Sequence, residues 1–197
     1  MTLLAVVRHL PTAWNAAGRI QGRADPPLDP AAERDLGLPP ELAAFRVLSS
    51  PLLRAVATAR CLGADPIAVE PRLTEMDWGE WEGFTLAELR TRLGPAMAAA
   101  EERGLDFRPP GGESPRDVQA RLAPLLAEIA AEGRPVLAVT HKGVIRAVLG
   151  RATGWDMRGK PPARLSWDAA HLFRLAADGS PRVERLNLAL AAMAPVR

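Results

Sequence analysis

Residues 3–9 have the sequence LLAVVRH, and residues 136–141 have the sequence VLAVTH. Each is a short, continuous apolar run that ends at a histidine and is too brief for a helix. A strand that is buried on both faces of a parallel sheet has this composition. Ligands of open α/β sheets bind beyond the carboxyl ends of such strands. We therefore predict that His9 and His141 lie at one crevice, with Arg8 beside them.

The composition limits the class of protein and its partners. A chain of 197 residues suits one α/β domain, here predicted to span 1–197. The net charge of +2 gives no reason to expect nucleic acid or a membrane as a partner. Cys61 is the one cysteine, so an internal disulfide and a thiolate metal cluster are excluded. The first residues lack the features of a signal peptide and no apolar run is long enough for a membrane span, so we predict a cytoplasmic protein.

The remaining pattern alternates strands and helices. Apolar runs predict strands, and residues that favour helix starts predict where the helices begin. Ser50 is expected to cap the helix that follows it, with Pro51 in the first turn, and Thr85 and Ser114 are expected to cap two more. The predicted strands are 3–7, 45–49, 67–69, 136–140, 165–167, 171–175 and 182–186, and the predicted helices are 52–62, 85–92, 95–103, 114–131 and 144–150.

Several motifs follow one another along the chain. After Arg8-His9 come Asn15, GRIQG at 18–22, SSPLLRA at 49–55, LTE at 73–75 with WGEWEG at 78–83, GES at 112–114 and THKGVIR at 140–146. This order resembles the histidine phosphatase superfamily, which includes the cofactor-dependent phosphoglycerate mutases. The resemblance extends from the first strand through the helix after His141. It implies a three-layer α/β/α sandwich with a mostly parallel central sheet and a helical lid insertion at about 76–115.

The resemblance also implies roles for the basic residues. A phosphate monoester is a dianion that hydrolyses very slowly unaided, so its charge must be neutralised and its leaving oxygen assisted. His9 is the candidate nucleophile that forms a phosphohistidine, although by itself it could be a core histidine. Arg8 and Arg54 are candidates to bind the phosphate oxygens through their planar guanidinium groups, and Arg54 lies where a helix start already favours an anion. His141 is expected to hydrogen-bond the transferring group.

The acid and the neutral donors are less sharply indicated. Glu75 is the candidate general acid, because the family pattern Leu-x-Glu selects it over Asp77, Glu80 and Glu82. For those three carboxylates we prefer a structural or solvated role. Three further residues, Asn15, Gln21 and Gly22, are expected to bind the phosphate as well; turn formation in a glycine-containing loop is their alternative explanation.

Two positions depart from the family pattern. Leu10-Pro11 stands where the family usually has glycine after Arg-His, and Pro11 makes a left-handed backbone at Leu10 unfavourable. Leu10 is expected to narrow the pocket or to shift its preference. Lys142 stands where the family often has glycine after the second histidine, and either adds charge for a more anionic substrate or points to solvent. Neither departure removes a catalytic group.

These residues predict a metal-independent phosphomonoester hydrolase that acts on a small phosphorylated metabolite and needs no cofactor. A phosphoglycerate mutase is the first alternative, disfavoured because the segment between Glu75 and His141 is short for the mutase insertions. A metal-dependent hydrolase with His9 and His141 as ligands lacks a motif that completes the metal shell. A non-catalytic phospho-ligand-binding protein is the alternative from another class. The substrate stays open, as does the choice between monomer and homodimer.

Overall fold

The computed structural model describes residues 1–34 and 36–192, and a six-stranded sheet forms its centre. The strands of the described chain are β1 (Thr2–Arg8), β2 (Leu36–Gly37), β3 (Arg46–Ser49), β4 (Ala68–Val69), β5 (Val136–Thr140), β6 (Ala169–Leu175), β7 (Pro181–Ala189) and β8 (Ala191–Ala192). The sheet order is β4-β3-β5-β1-β6-β7, while β2 pairs with β8. Strands β4, β3, β5 and β1 are parallel to one another, and β6 is antiparallel to both of its neighbours, β1 and β7. The predicted mostly parallel sheet is confirmed.

Helices cover both faces of this sheet. They are α1 (Ala13–Ala16), α2 (Leu53–Cys61), α3 (Leu86–Leu93), α4 (Pro95–Glu101), α5 (Pro115–Glu132) and α6 (Lys142–Thr153), with short 3₁₀ turns between them. Side chains alternate along β1, so Leu4 and Val6 pack against α5 and α6 on one face. Ala5 and Val7 belong to the core on the other face, which α2 covers. The three-layer prediction is confirmed. Each described helix is too short or too polar to span a membrane.

The register of β1 and β5 brings the two histidines together. Arg8 lies beside Thr140 in the parallel ladder, and the His9 backbone N–H donates to the Thr140 carbonyl at 2.9 Å. His9 and His141 are therefore the first residues beyond two adjacent strands. The predicted crevice at their carboxyl ends follows from this pairing.

Local signals at the helix starts succeed where the cap is a capping box. Thr85 and Ser114 each accept a hydrogen bond from the third helical residue, as predicted. The prediction for Ser50 is wrong, because α2 is capped at Leu52 without a side-chain hydrogen bond. The Ser50 hydroxyl instead lies 2.7 Å from Nε2 of His141. The Ser50 hydroxyl, which the local pattern assigned to the helix cap, thus forms a tertiary contact instead.

The strand predicted at residues 165–167 is also wrong, since this stretch forms no ladder. Leu165 is buried in the core, and the Trp167 ring lies beside two cations, Arg8 and Lys142. The Ser166 N–H donates to the side chain of Asn187 instead of a strand partner. The apolar alternation here reflects packing of single side chains. The strands predicted at 171–175 and 182–186 are confirmed and longer, and Asp178 and Gly179 lie in the turn between them.

Candidate active site

The two predicted histidines lie side by side at the end of the sheet. Their ring centroids are 5.2 Å apart and the rings are tilted by 51°. His9 borders a cavity of about 380 Å³, while His141 is fully buried behind the cavity wall. The other residues predicted for the site all line this cavity: Arg8, Asn15, Gln21, Gly22, Arg54 and Glu75. The structure therefore brings the predicted residues to one place, and their roles stay predictions.

A backbone contact fixes the tautomer of His9. Its Nδ1 lies 2.6 Å from the Leu10 carbonyl oxygen, which can only accept, so Nδ1 carries the proton. Nε2 is then the nitrogen with a free lone pair. Burial lowers the pKa of His9 to about 3, with further lowering from the positive charges of Arg8 and Arg54. His9 is therefore neutral near pH 7, as a nucleophile must be.

Leu10 supports His9 without entering the cavity. Its N–H donates to Oγ1 of Thr58 at 2.8 Å, and the Thr58 hydroxyl donates to the Arg54 carbonyl at 2.7 Å. The Leu10 side chain packs into the core on the α2 face. It is absent from the cavity lining, so the expectation that Leu10 narrows the pocket is wrong. Its backbone avoids positive φ, as Pro11 predicts.

His141 is held by a polar contact inside the protein. Its Nε2 lies 2.7 Å from the Ser50 hydroxyl, and its buried Nδ1 has no protein partner among the described residues. Burial lowers the pKa of His141 well below its usual value, and His9 and Arg54 lower it further. His141 is neutral in this structure, and a bound dianion would favour its protonation.

Arg54 is fully buried, so it is not a solvated arginine at a helix start. Its Nη2 donates to the Gly22 carbonyl at 2.7 Å and its Nη1 to the Ala24 carbonyl at 2.8 Å. Its Nε is buried without a protein partner in the described chain, and so is Nε of Arg8. Because a buried donor normally has an acceptor, these N–H groups are suited to an anion in the cavity.

The loop that holds Arg54 is itself held by Glu82. The Glu82 carboxylate accepts from the backbone N–H groups of Arg23 at 2.6 Å and Ala24 at 2.7 Å. Gly22 has φ of 55°, and a Cβ there would overlap the Glu82 carboxylate. The preferred structural role of Glu82 is confirmed. Gly22 orients Arg54 through its carbonyl; its binding of phosphate stays a prediction.

The two predicted amide side chains differ in how free they are. Asn15 forms a capping box with Thr12, and its Oδ1 accepts from the Thr12 N–H at 3.0 Å. Only its NH₂ group is therefore left to donate to a ligand. Gln21 is buried, and its Oε1 has no protein partner in the described residues. Local structure thus accounts for the Oδ1 atom of Asn15, whereas no group of the loop forms a hydrogen bond with Oε1 of Gln21.

Glu75 is the only carboxylate that lines the described cavity. Its two oxygens accept from the backbone N–H groups of Met76 at 2.8 Å and Gly143 at 3.1 Å. Asp77 accepts from the Gly79 N–H at 2.8 Å and pairs with Arg23, while Glu80 is exposed. The geometry thus agrees with the choice of Glu75 over its neighbours.

Sequence reasoning assigned no role to Arg121, on α5. Its guanidinium donates to the carbonyls of Arg72 and Thr74 and pairs with Glu113 at 3.1 Å. It braces the chain that carries Glu75. In the sequence, the only indication of this interaction was its partner Glu113, which belongs to the GES motif. Arg146 also went unassigned, although it belongs to a quoted motif and lines the cavity.

Comparison with known proteins identifies the family. A model of the "Histidine phosphatase superfamily (branch 1)" matches residues 4–189. The chain belongs to this superfamily. Among curated histidine phosphatase relatives, the 2,3-bisphosphoglycerate-dependent phosphoglycerate mutase of Methylobacterium radiotolerans is 33% identical, over 89% of this chain and 91% of the relative. The glucosyl-3-phosphoglycerate phosphatase of Mycolicibacterium vanbaalenii is 34% identical, over 80% of this chain and 77% of the relative.

A solved structure of the same superfamily agrees with the fold. The mycobacterial glucosyl-3-phosphoglycerate phosphatase in complex with VO₃ has a TM-score of 0.76 to this chain. It is 26% identical, and the match covers 96% of this chain and all of that chain. For a possible metal centre, residues 1–34 and 36–192 contain no group of three or more His, Cys, Asp or Glu side chains placed to hold an ion.

The buried histidines make the stability of this histidine phosphatase depend on pH. The pKa of His9 is about 3 in the folded chain, against about 6.5 when unfolded. Between these values the unfolded chain binds a proton that the folded chain does not, so acid favours unfolding. We expect His9 alone to lower the free energy of unfolding by about 2 kcal/mol from pH 7 to pH 5. Urea unfolding at pH 7, 6 and 5 measures this loss.

The control for this prediction is His9→Gln, which removes the titrating ring. Between pH 7 and pH 5 its free energy of unfolding should fall less steeply than that of the parent, by about 1 kcal/mol per pH unit on average. The window above pH 5 avoids most carboxylate titration. Equal slopes in the two proteins would show that His9 keeps an ordinary pKa when folded.

Proposed function

We propose that this chain hydrolyses phosphate monoesters of small metabolites through a phosphohistidine on His9. The observation that carries this proposal is a neutral His9 with a free lone pair on Nε2, in the lining of a cavity that also contains Arg8, Arg54 and Glu75. Two arginines neutralise the charge of a dianion, and a carboxyl group exchanges protons with the leaving group and water. Membership of the superfamily supports the same reaction.

The reaction has two balanced steps. Nε2 of His9 attacks phosphorus, the bond to the leaving oxygen breaks, and Glu75 gives that oxygen a proton. In the second step Glu75 takes a proton from water, the water oxygen bonds to phosphorus, and the N–P bond breaks. Inorganic phosphate leaves and neutral His9 is restored. No step requires a metal or a cofactor.

The surrounding residues stabilise the transferring group in this proposal. Arg8 and Arg54 offer their unpartnered Nε–H groups to its oxygens. His141 adds a hydrogen bond once the dianion is bound, and Asn15 and Gln21 add neutral donors. The Nδ1–H of His9 keeps its hydrogen bond to the Leu10 carbonyl, which holds the ring in orientation while positive charge develops on it.

Hydrolysis and mutase activity differ in what accepts the phosphoryl group. Chain length does not distinguish the two activities, because the match between this chain and the mutase relative covers 91% of that relative. The earlier inference from a short segment after Glu75 therefore carries no weight. Two phosphatase relatives, one with a solved structure, favour hydrolysis. We also propose that residues 76–115 form a lid, since Trp78 and Leu86 line the cavity.

The test supplies 3-phosphoglycerate and follows two products in the presence of EDTA. We expect inorganic phosphate to appear at a rate that the chelator does not change, with little 2-phosphoglycerate. Faster formation of 2-phosphoglycerate with a 2,3-bisphosphoglycerate primer would establish a mutase instead. Tight binding of 3-phosphoglycerate without either product would indicate a non-catalytic protein.

A further inference from the structure

We propose that Lys142 and Arg146 form a second anion subsite that selects phosphate esters whose leaving group carries another negative charge. This inference rests on the proposed function and names the class of substrate. Both side chains line the cavity that holds His9 and Glu75. They stand at i and i+4 on α6, so they are neighbours on one helix face.

The second subsite lies where two cavities meet. Arg146 lines both the cavity of about 380 Å³ and a neighbouring cavity of about 410 Å³. Trp78, Leu86 and Gly143 are also common to the two linings. A leaving group that extends from the phosphate into the second cavity therefore has to pass Arg146.

The charge of the first cavity exceeds what one phosphate group neutralises. Its lining contains five basic residues and a single carboxylate, Glu75. The basic residues are Arg8, Arg19, Arg54, Lys142 and Arg146. A phosphate monoester contributes two negative charges, which Arg8 and Arg54 suffice to balance. Further negative charge on the substrate would offset the rest.

Aromatic rings orient these two cations without neutralising them. Lys142 Nζ lies 5.3 Å from the ring centroid of Trp167, and the Arg146 guanidinium carbon lies 5.0 Å from that of Trp155. Within the described chain neither forms an ion pair, although many other arginines do, Arg121 among them. Their positive charges are thus held in place and left for a ligand.

The arrangement is unfavourable without an anion. Like charges at i and i+4 repel each other on a helix. Burial lowers the pKa of Lys142, and the charges of Arg146 and Arg8 lower it further. Such repulsion is relieved when an anionic group lies between the cations, which makes bound carboxylate or phosphate the natural counter-ion.

A matched pair of substrates tests the subsite. We compare kcat/KM for 3-phosphoglycerate with kcat/KM for glycerol 3-phosphate, which has a hydroxymethyl group in place of the carboxylate. Lys142→Met and Arg146→Met should each lower the ratio of the two values about ten- to a hundredfold, since each removes a hydrogen bond to a charged group. Glycerol 1,3-bisphosphate carries a second phosphate in place of the carboxylate. The substitutions should lower kcat/KM relative to glycerol 3-phosphate most for the substrate whose anion the subsite prefers, carboxylate or phosphate.

Two control variants separate charge from other effects. Lys142→Arg keeps the charge and should restore most of the ratio. Lys160→Met removes the other lysine of the chain, which is exposed and absent from both cavity linings, and should leave the ratio as it is. Thermal unfolding of Arg146→Met checks that the variant is folded.

Equal losses for both substrates would place Lys142 and Arg146 on the transferring phosphate, which overturns the subsite and leaves the proposed function intact. Absence of turnover with every ester would instead overturn the proposed function. In that case calorimetric titration of the His9→Ala protein decides about the subsite. Tighter binding of 3-phosphoglycerate than of glycerol 3-phosphate, lost in His9→Ala/Lys142→Met, supports it, and equal binding rejects it.

Discussion

Replacement of His9 by alanine is expected to lower kcat for phosphate release by a factor on the order of 10⁴. The reason is specific to this ring: its Nε2 has the free lone pair, and no other imidazole lines the described cavity. His141 is not expected to substitute for it, because His141 is fully buried and absent from the cavity lining. Initial rates of phosphate release from an aryl phosphate measure the effect.

The same prediction has a covalent readout. Brief incubation with a ³²P-labelled ester should place label on the protein in a bond that is stable to alkali and labile to acid, as an N–P bond is. His9→Ala should carry no such label. His171→Asn is the matched control, because His171 is also buried but lies outside the cavity lining. Persistent turnover by His9→Ala would move the nucleophile to another residue.

Glu75→Gln is expected to lose activity according to the leaving group. For an alkyl phosphate the loss should be about 10³-fold, because an alkoxide cannot depart without a proton. For 4-nitrophenyl phosphate the first step should lose far less, since nitrophenolate leaves without one. The second step still needs a base for water, so phosphohistidine should accumulate. Rapid mixing should then show a burst of nitrophenolate before slow turnover.

The control for this substitution is Glu80→Gln, an exposed carboxylate that is absent from the cavity lining. It should keep the leaving-group profile of the parent. Glutamine at position 75 leaves one of two backbone N–H groups without its acceptor, so unfolding must be measured alongside. A loss of equal size for alkyl and aryl esters, without a burst, would assign the proton transfer elsewhere.

Much of the site was predictable because it depends on strand ends. A buried parallel strand requires a continuous apolar run, and the residue after it is placed by the ladder. His9 and His141 could therefore be located from residues 3–9 and 136–141 alone. Thr85 and Ser114 were predictable for a related reason, since each cap bonds only three residues along the chain.

Other features had no local signal. Ser50 has the composition of a cap, yet its hydroxyl contacts His141, which is 91 positions away. Residues 165–167 alternate as a strand does, but Trp167 meets Arg8 and Lys142 instead of a ladder. In both cases a contact between distant parts of the chain outweighs a weak local preference.

The sequence by itself determined the order of the motifs along the chain, the helix caps at Thr85 and Ser114 and the position of two histidines at strand ends, because these depend on periodicity and on neighbours a few residues apart. Only the tertiary structure decided which nitrogen of His9 is free, what holds Arg54 and where Lys142 lies. The physical reason is that hydrogen bonds, burial and charge at a site are set by groups that meet in space. Positions such as 22, 54 and 82 meet only once the sheet has formed.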